Sequence, residues 1–195
     1  SDPRFKDNRL KSLTGFNLGL LVGQQFKASG DSIFTKDGGR PLKFTPEFSN
    51  DNSLEEQGIR VVKYAPDVNT AYPGASQNDF QYYRLTDAYL MRCEAKFRNG
   101  DVAGALSDIN TVRAKRGVAV YAQSELTLEK IYNERGYEFY WDNSRRNDMV
   151  RFNTYCAARY QKTTVTPAYK ILLPVPLTAH DGDSNIKQNP GYDSF

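Results

Sequence analysis

The chain has 195 residues, 39% of them hydrophobic and 25% charged, which is the balance of a globular chain long enough to bury a core. Its 26 basic and 23 acidic residues leave a net charge of +3 and are interspersed, which excludes the clustered Lys/Arg footprint of a nucleic-acid binder. No apolar run approaches the roughly 18 residues that a membrane-spanning helix requires, and no signal peptide follows Ser1.

Aromatic residues are abundant, with 13 Tyr, 11 Phe and one Trp. Tyrosine joins a flat apolar face to a polar tip, which suits interfaces and sugar stacking as well as cores.

Residues 1–80 are rich in Gly, Asn, Ser and Asp and read as an irregular region of short strands and long loops. Ser32-Ile33-Phe34-Thr35 and Pro41-Leu42-Lys43-Phe44-Thr45 flank a turn with Asp37-Gly38, a hairpin signal. Residues 59–64 read as a further strand. A polar loop follows, over residues 65–79.

Residues 81–195 form the second region, where the period becomes helical. The spacing predicts a helix over 83–98, with Leu85, Ala88, Tyr89, Cys93 and Phe97 on one face. Asn99-Gly100-Asp101 stops it and caps the next. That second helix carries Val102, Ala105, Leu106, Ile109 and Val112 as its stripe and ends at Gly117. The link is so short that the pair packs as an antiparallel hairpin. A third helix starts at Thr127, with Leu126 and Ile131 as a hydrophobic staple. Its inner face is Leu128, Ile131, Tyr132, Arg135 and Phe139. A fourth covers about 145–157, with Met149, Phe152 and Cys156 inward. Successive helical hairpins give the fold class: mainly α, tetratricopeptide-like, without the full consensus of roughly 34 residues.

The chemistry-bearing groups are few. Cys93 and Cys156 lack metal spacing and each falls on a predicted helix, so two free thiols are expected rather than a disulfide. His180 lies near Asp181 and Asp183, where a solvated polar turn is the preferred reading over a cation site. No phosphate loop or nucleophile elbow is present, and no cofactor is implied. Glu134 and Glu138 are spaced i, i+4, and Asp142 continues the row. Paired carboxylates serve glycosidases, but Arg135, Arg145 and Arg146 crowd the same segment. Glu134, Arg135, Glu138, Arg145 and Asp148 therefore read as a structural ion-pair network, with Glu138 or Asp148 offered as the partner of Arg135. The run Arg113-Ala114-Lys115-Arg116 is read as complementing a helix C-terminus. Trp141 is expected to pack against the fourth helix. In the loop, Tyr72 and Asn78 are the candidate ligand contacts, because aromatic faces beside short hydrogen-bonders suit a glycan.

Near the end, Ile171-Leu172-Leu173-Pro174-Val175-Pro176 is apolar and cut by two prolines, which allows at most a short edge strand. Gln188-Asn189-Pro190-Gly191-Tyr192 reads as a closing turn.

Three blocks carry a family resemblance. "YYRLTDAYLMRCEAKFRNGDVAGALSDINTVRAKRG", "IYNERGYEFYWDNSRRNDMVRF" and "LLPVP" followed by "NIKQNPGY" resemble, in order and spacing, the RagB/SusD family of outer-membrane nutrient-binding proteins. In residues 1–67 the likeness is confined mainly to "DPR" and "RVVKYAPD". The resemblance implies a SusD-like fold and a cell-surface lipoprotein of Bacteroidetes-type bacteria, not an enzyme. Its ligand would be an oligosaccharide or other nutrient, and its partner a SusC-like TonB-dependent transporter. It further implies that this is the C-terminal part of a longer chain, closed by "QNPGY". The lipid that attaches the protein to the outer membrane would lie in the N-terminal portion. The alternative reading is a repeat-type protein-interaction adaptor without a small-molecule ligand.

Overall fold

The computed structural model describes residues 2–7, 18–27, 29–65, 67, 69, 70 and 76–195. The chain forms two compact units, Ser1–Asn143 and Ser144–Phe195. Among the described residues the last strand ends at Val62 and the first α-helix begins at Leu85, while the division between compact units comes after the third helix.

The first unit opens with a 3-10 turn, Pro3–Phe5, capped by Asp2, whose carboxylate accepts from the Arg4 N–H at 3.0 Å. Strands β1 (Lys6–Asp7), β2 (Leu18–Leu21) and β5 (Arg60–Val62) form an antiparallel sheet in the order β1-β2-β5. Gly19 is the central register position, opposite Lys6 on one side and Val62 on the other. Strands β3 (Gly23–Gln24) and β4 (Lys43–Phe44) pair antiparallel. The expected hairpin lies beyond them: Phe34 bridges Pro41, and the Thr35 N–H donates to the Arg40 carbonyl at 2.8 Å.

Helix α1 (Leu85–Arg98) packs on α2 (Val102–Lys115), and α3 (Leu128–Glu138) packs on α1. Both ends of the hairpin close as the sequence dictates. After α1, the Asp101 N–H bonds the Lys96 carbonyl and the Gly100 N–H the Phe97 carbonyl; after α2, Val118 and Gly117 do the same to Arg113 and Ala114. Asp101 caps α2 through Gly104, and Thr127 caps α3 through Lys130.

Leu90, Cys93, Ala105, Ile109, Val112, Leu126, Ile131 and Phe139 are buried. The stripe of α2 matches the spacing. That of α1 is rotated from the expected one: Leu90, Cys93 and Glu94 are buried, whereas Leu85 is 74% exposed. Leu85 is the first residue of its helix, where the apolar partners of a mid-helix position are missing. Burial pushes the Cys93 thiol up to about 12, so it is an inert packing group. Both cysteines are free.

Three expectations on the tertiary detail fail. Trp141 is 68% exposed and has φ 64, so it turns the chain after α3 rather than packing inward. Helix α4 is short, Arg145–Arg151, and Cys156 lies past its end. Asn153, at φ 56, ends that helix within one turn. The His180 segment is not a turn: it is a short helix, α5 (Leu177–Gly182).

Nor is the proline-cut segment a strand. A 3-10 turn, Ala168–Ile171, leads into extended backbone whose polar groups are met by side chains of the closing turn. Gln188 accepts from the Val175 N–H at 2.7 Å and donates back to its carbonyl at 3.0 Å, imitating a neighbouring strand. Asn189 donates to the Leu173 carbonyl and the Tyr192 hydroxyl to that of Leu172, each at 2.7 Å. A real sheet neighbour would need the N–H groups that Pro174 and Pro176 lack.

Gly19 offers a direct test of the sheet. A Cβ there would lie 2.5 Å from the backbone carbonyl of Phe5, at φ +106. Gly19→Ala is expected to lower stability by about 2 kcal/mol or more. Gly39→Ala, whose Cβ would meet only Asp37 at 3.7 Å, should stay within about 0.5 kcal/mol in the same urea titration.

Candidate ligand cleft

The face of α3 that the sequence marks with carboxylates is the organising feature of the first unit. Glu134 and Glu138 are buried, and Asp142 follows one turn beyond the helix end. Each receives cations from other segments. Arg4 reaches Glu134 at 2.6 Å and Glu138 at 3.4 Å. Arg113 also bonds Glu134. Arg116 holds Glu138 through two bonds, at 3.0 and 2.5 Å. Arg84 bridges Glu138 at 2.7 Å and Asp142 at 2.8 Å. Lys63 meets Asp142 at 2.6 Å.

Local packing holds these cations in place. Phe5 sits edge-on to Tyr137 and Tyr140, which docks the Arg4 turn on α3. Arg84 immediately precedes α1, and Arg113 and Arg116 lie in and just after the last turn of α2. Lys63 follows β5 and also donates to the carbonyls of Glu138 and Tyr140, at 2.8 and 3.1 Å. Its three N–H donors are all used. Cations on those carbonyls complement the negative end of the α3 dipole.

The electrostatics follow. Burial would raise the Glu138 carboxyl, but hydrogen bonds from Arg116 and Arg84 outweigh it and hold the group at about 2. Burial likewise opposes the charge of Arg4, yet hydrogen bonds to Asp2 and Glu134 leave it raised. Burial pushes the Tyr64 hydroxyl up to about 12, helped by its hydrogen bond to Asp142 at 2.9 Å.

Beside this network lies a cleft of about 590 Å³. Its walls carry Arg4, Lys6, Lys63, Arg84, Lys115 and Arg116 against one carboxylate, Glu138. Tyr64, Tyr140 and Gln81 line it too. No Ser, Thr, Cys or His is among its described lining residues. The described residues contain no group of three or more His, Cys, Asp or Glu able to hold a metal ion.

The residues expected from the sequence are distributed unevenly. Glu134 and Glu138 share Arg4. Arg135 is buried on α3 and pairs with Asp87 of α1 at 3.0 Å, a partner the sequence reading did not name. Arg145 opens α4 in the second unit, where Asp148 is buried and accepts from Arg151 at 2.8 Å. Asn78 is exposed and donates to the Ala65 carbonyl at 2.9 Å; it does not line the cleft. Tyr72 lies outside the described residues. Arg4, Lys63 and Arg84 went unassigned, although "DPR" and "RVVKYAPD" contain two of them, and Arg113 and Arg116 were read as complementing a helix end without their carboxylate partners being named.

A model of the SusD family matches residues 6–170. The chain belongs to the SusD family. It is 28% identical to the starch-binding protein SusD of Bacteroides thetaiotaomicron over 192 residues, which cover 89% of this chain and 33% of that one. Among solved structures it resembles a SusD-like protein of Bacteroides fragilis, with 25% identity and a TM-score of 0.62 over 89% of this chain and 37% of the other. The fold is also that of Bacteroides fragilis NanU, with 22% identity, a TM-score of 0.52 and coverage of 89% and 35%. The chain thus spans about a third of the length of these SusD-family relatives. Its tetratricopeptide-like hairpin and short-stranded region are those of the family. Among the described residues no helix is long and apolar enough to cross a membrane.

The depressed Glu138 carboxyl sets a pH window. Its charge stabilises the fold fully above its unfolded value near 4.5, and that contribution is lost as pH falls toward about 2. Stability of the wild type should therefore decline through this window. Glu138→Gln should be less stable at pH 7 and show a shallower decline, measured by urea unfolding at stepped pH.

Proposed function

We propose that this protein binds oligosaccharides or other nutrients at the cell surface, without chemistry, and delivers them to a SusC-like TonB-dependent transporter in the outer membrane. Attachment to the membrane would be through an N-terminal lipid outside this chain. Support comes from membership of the SusD family and from the likeness to a relative named for starch binding.

The observation that carries the reading is the character of the cleft. At about 590 Å³ it is of a size for a small ligand. Yet its lone described carboxylate is pinned at about 2 and cannot donate a proton near neutral pH. A glycosidase needs a second carboxylate across the bond it cleaves, and Glu134 is fully buried beneath Arg4 and Arg113. Such a hollow holds a ligand and leaves it intact. Tyr72 and Asn78 are proposed as further contacts from the loop before α1.

A panel of oligosaccharides, titrated calorimetrically and then recovered and sized, tests the reading. Binding of at least one member with no shortened products is expected, together with co-purification of the transporter. Turnover that Glu138→Gln abolishes would overturn the reading in favour of an enzyme. Transporter capture with no oligosaccharide binding would favour the adaptor.

A further inference from the structure

The ion-pair network leaves an imbalance on the cleft wall. Six cations line it, against one carboxylate. Arg4, Lys63 and Arg84 are largely buried and committed to Asp2, Glu134, Glu138 and Asp142. Glu138 itself is covered by Arg84 and Arg116. Lys6 and Lys115 are different. Both are exposed, and neither has an ion-pair partner among the described residues. They come from separate elements, β1 and the last turn of α2, and reach the same hollow. Arg116, with 37% of its side chain exposed, lies next to Lys115.

We propose that this cleft selects an acidic oligosaccharide, with the carboxylate or sulfate of the sugar placed between Lys6 and Lys115. The inference rests on the binding function proposed above and adds the ligand's charge class. A neutral sugar would gain nothing from two ammonium groups that have no ion-pair partner among the described residues, whereas an anionic sugar forms charge-assisted hydrogen bonds with them. Low-dielectric walls of one sign focus the field into the hollow and raise the local concentration of an anion. The negative end of α2 opposes this, but Arg113, Lys115 and Arg116 at that end offset it. Gln81 and the exposed edge of Tyr64 supply the amide and the flat face that the ring of a sugar uses.

The test compares the intact protein with Lys6→Ala/Lys115→Ala, which leaves every ion pair of the carboxylate row in place. Matched neutral, carboxylated and sulfated oligosaccharides are titrated at low and high salt. An acidic sugar should bind about tenfold or more tighter than the neutral one. Added salt should erode that preference. The double variant should lose about tenfold for the acidic sugar alone, with an unchanged thermal midpoint. The better of the two acidic ligands identifies the group recognised. Equal binding of neutral and acidic sugars, unaffected by the double substitution, would overturn the charge selection while leaving oligosaccharide binding intact. Binding of none of the three would overturn both.

Discussion

The first unit is organised by three carboxylates in one row. Glu134, Glu138 and Asp142 follow each other at intervals of four residues along α3 and its exit. Two of them are buried on the helix face. A buried carboxylate without partners is strongly unfavourable, so the row is tolerable only where cations converge on it. They arrive from far away in sequence. Arg4 and Lys63 precede the helices; Arg84 introduces α1; Arg113 and Arg116 close α2. The row therefore specifies how the N-terminal turn, the end of β5 and the helical hairpin meet. Apolar packing of Leu90, Ile109 and Ile131 favours a compact state. The charges favour one arrangement within it.

The same constraint shapes the cleft. Cations that satisfy the row crowd one wall, and Lys6 and Lys115 add to them without an ion-pair partner among the described residues. Scaffold and ligand site are built from adjacent groups. Ion pairing commits the carboxylates to the scaffold, and the cations beyond those pairs remain to act on a ligand. The proposed binding role and its proposed preference for acidic sugars follow from one feature.

The fold was legible where local rules decide. Gly100 and Gly117 ended helices as expected, and Asp101 and Thr127 capped them. The stripe of α2 was readable because its apolar residues keep a helical period. That of α1 was not, because Leu85 at the helix start is exposed while Glu94 is buried. The carboxylate row was visible as a spacing, yet its cations were hidden. Arg4 lies 130 residues from Glu134, and no periodicity links such positions. Asp87, which pairs with Arg135, was missed for the same reason, since it is on another helix. The closing segment was read as a strand because its residues are β-prone. Its true partners are amide side chains, which no β-propensity records.

The measurement that tests this account most directly is a double-mutant cycle between Arg4 and Glu134, read by urea unfolding at pH 7. If the row organises the unit, Glu134→Gln alone destabilises by about 3 kcal/mol or more, and the coupling with Arg4→Met exceeds about 1 kcal/mol. Additive substitutions, each changing stability by less than about 0.5 kcal/mol, would contradict it.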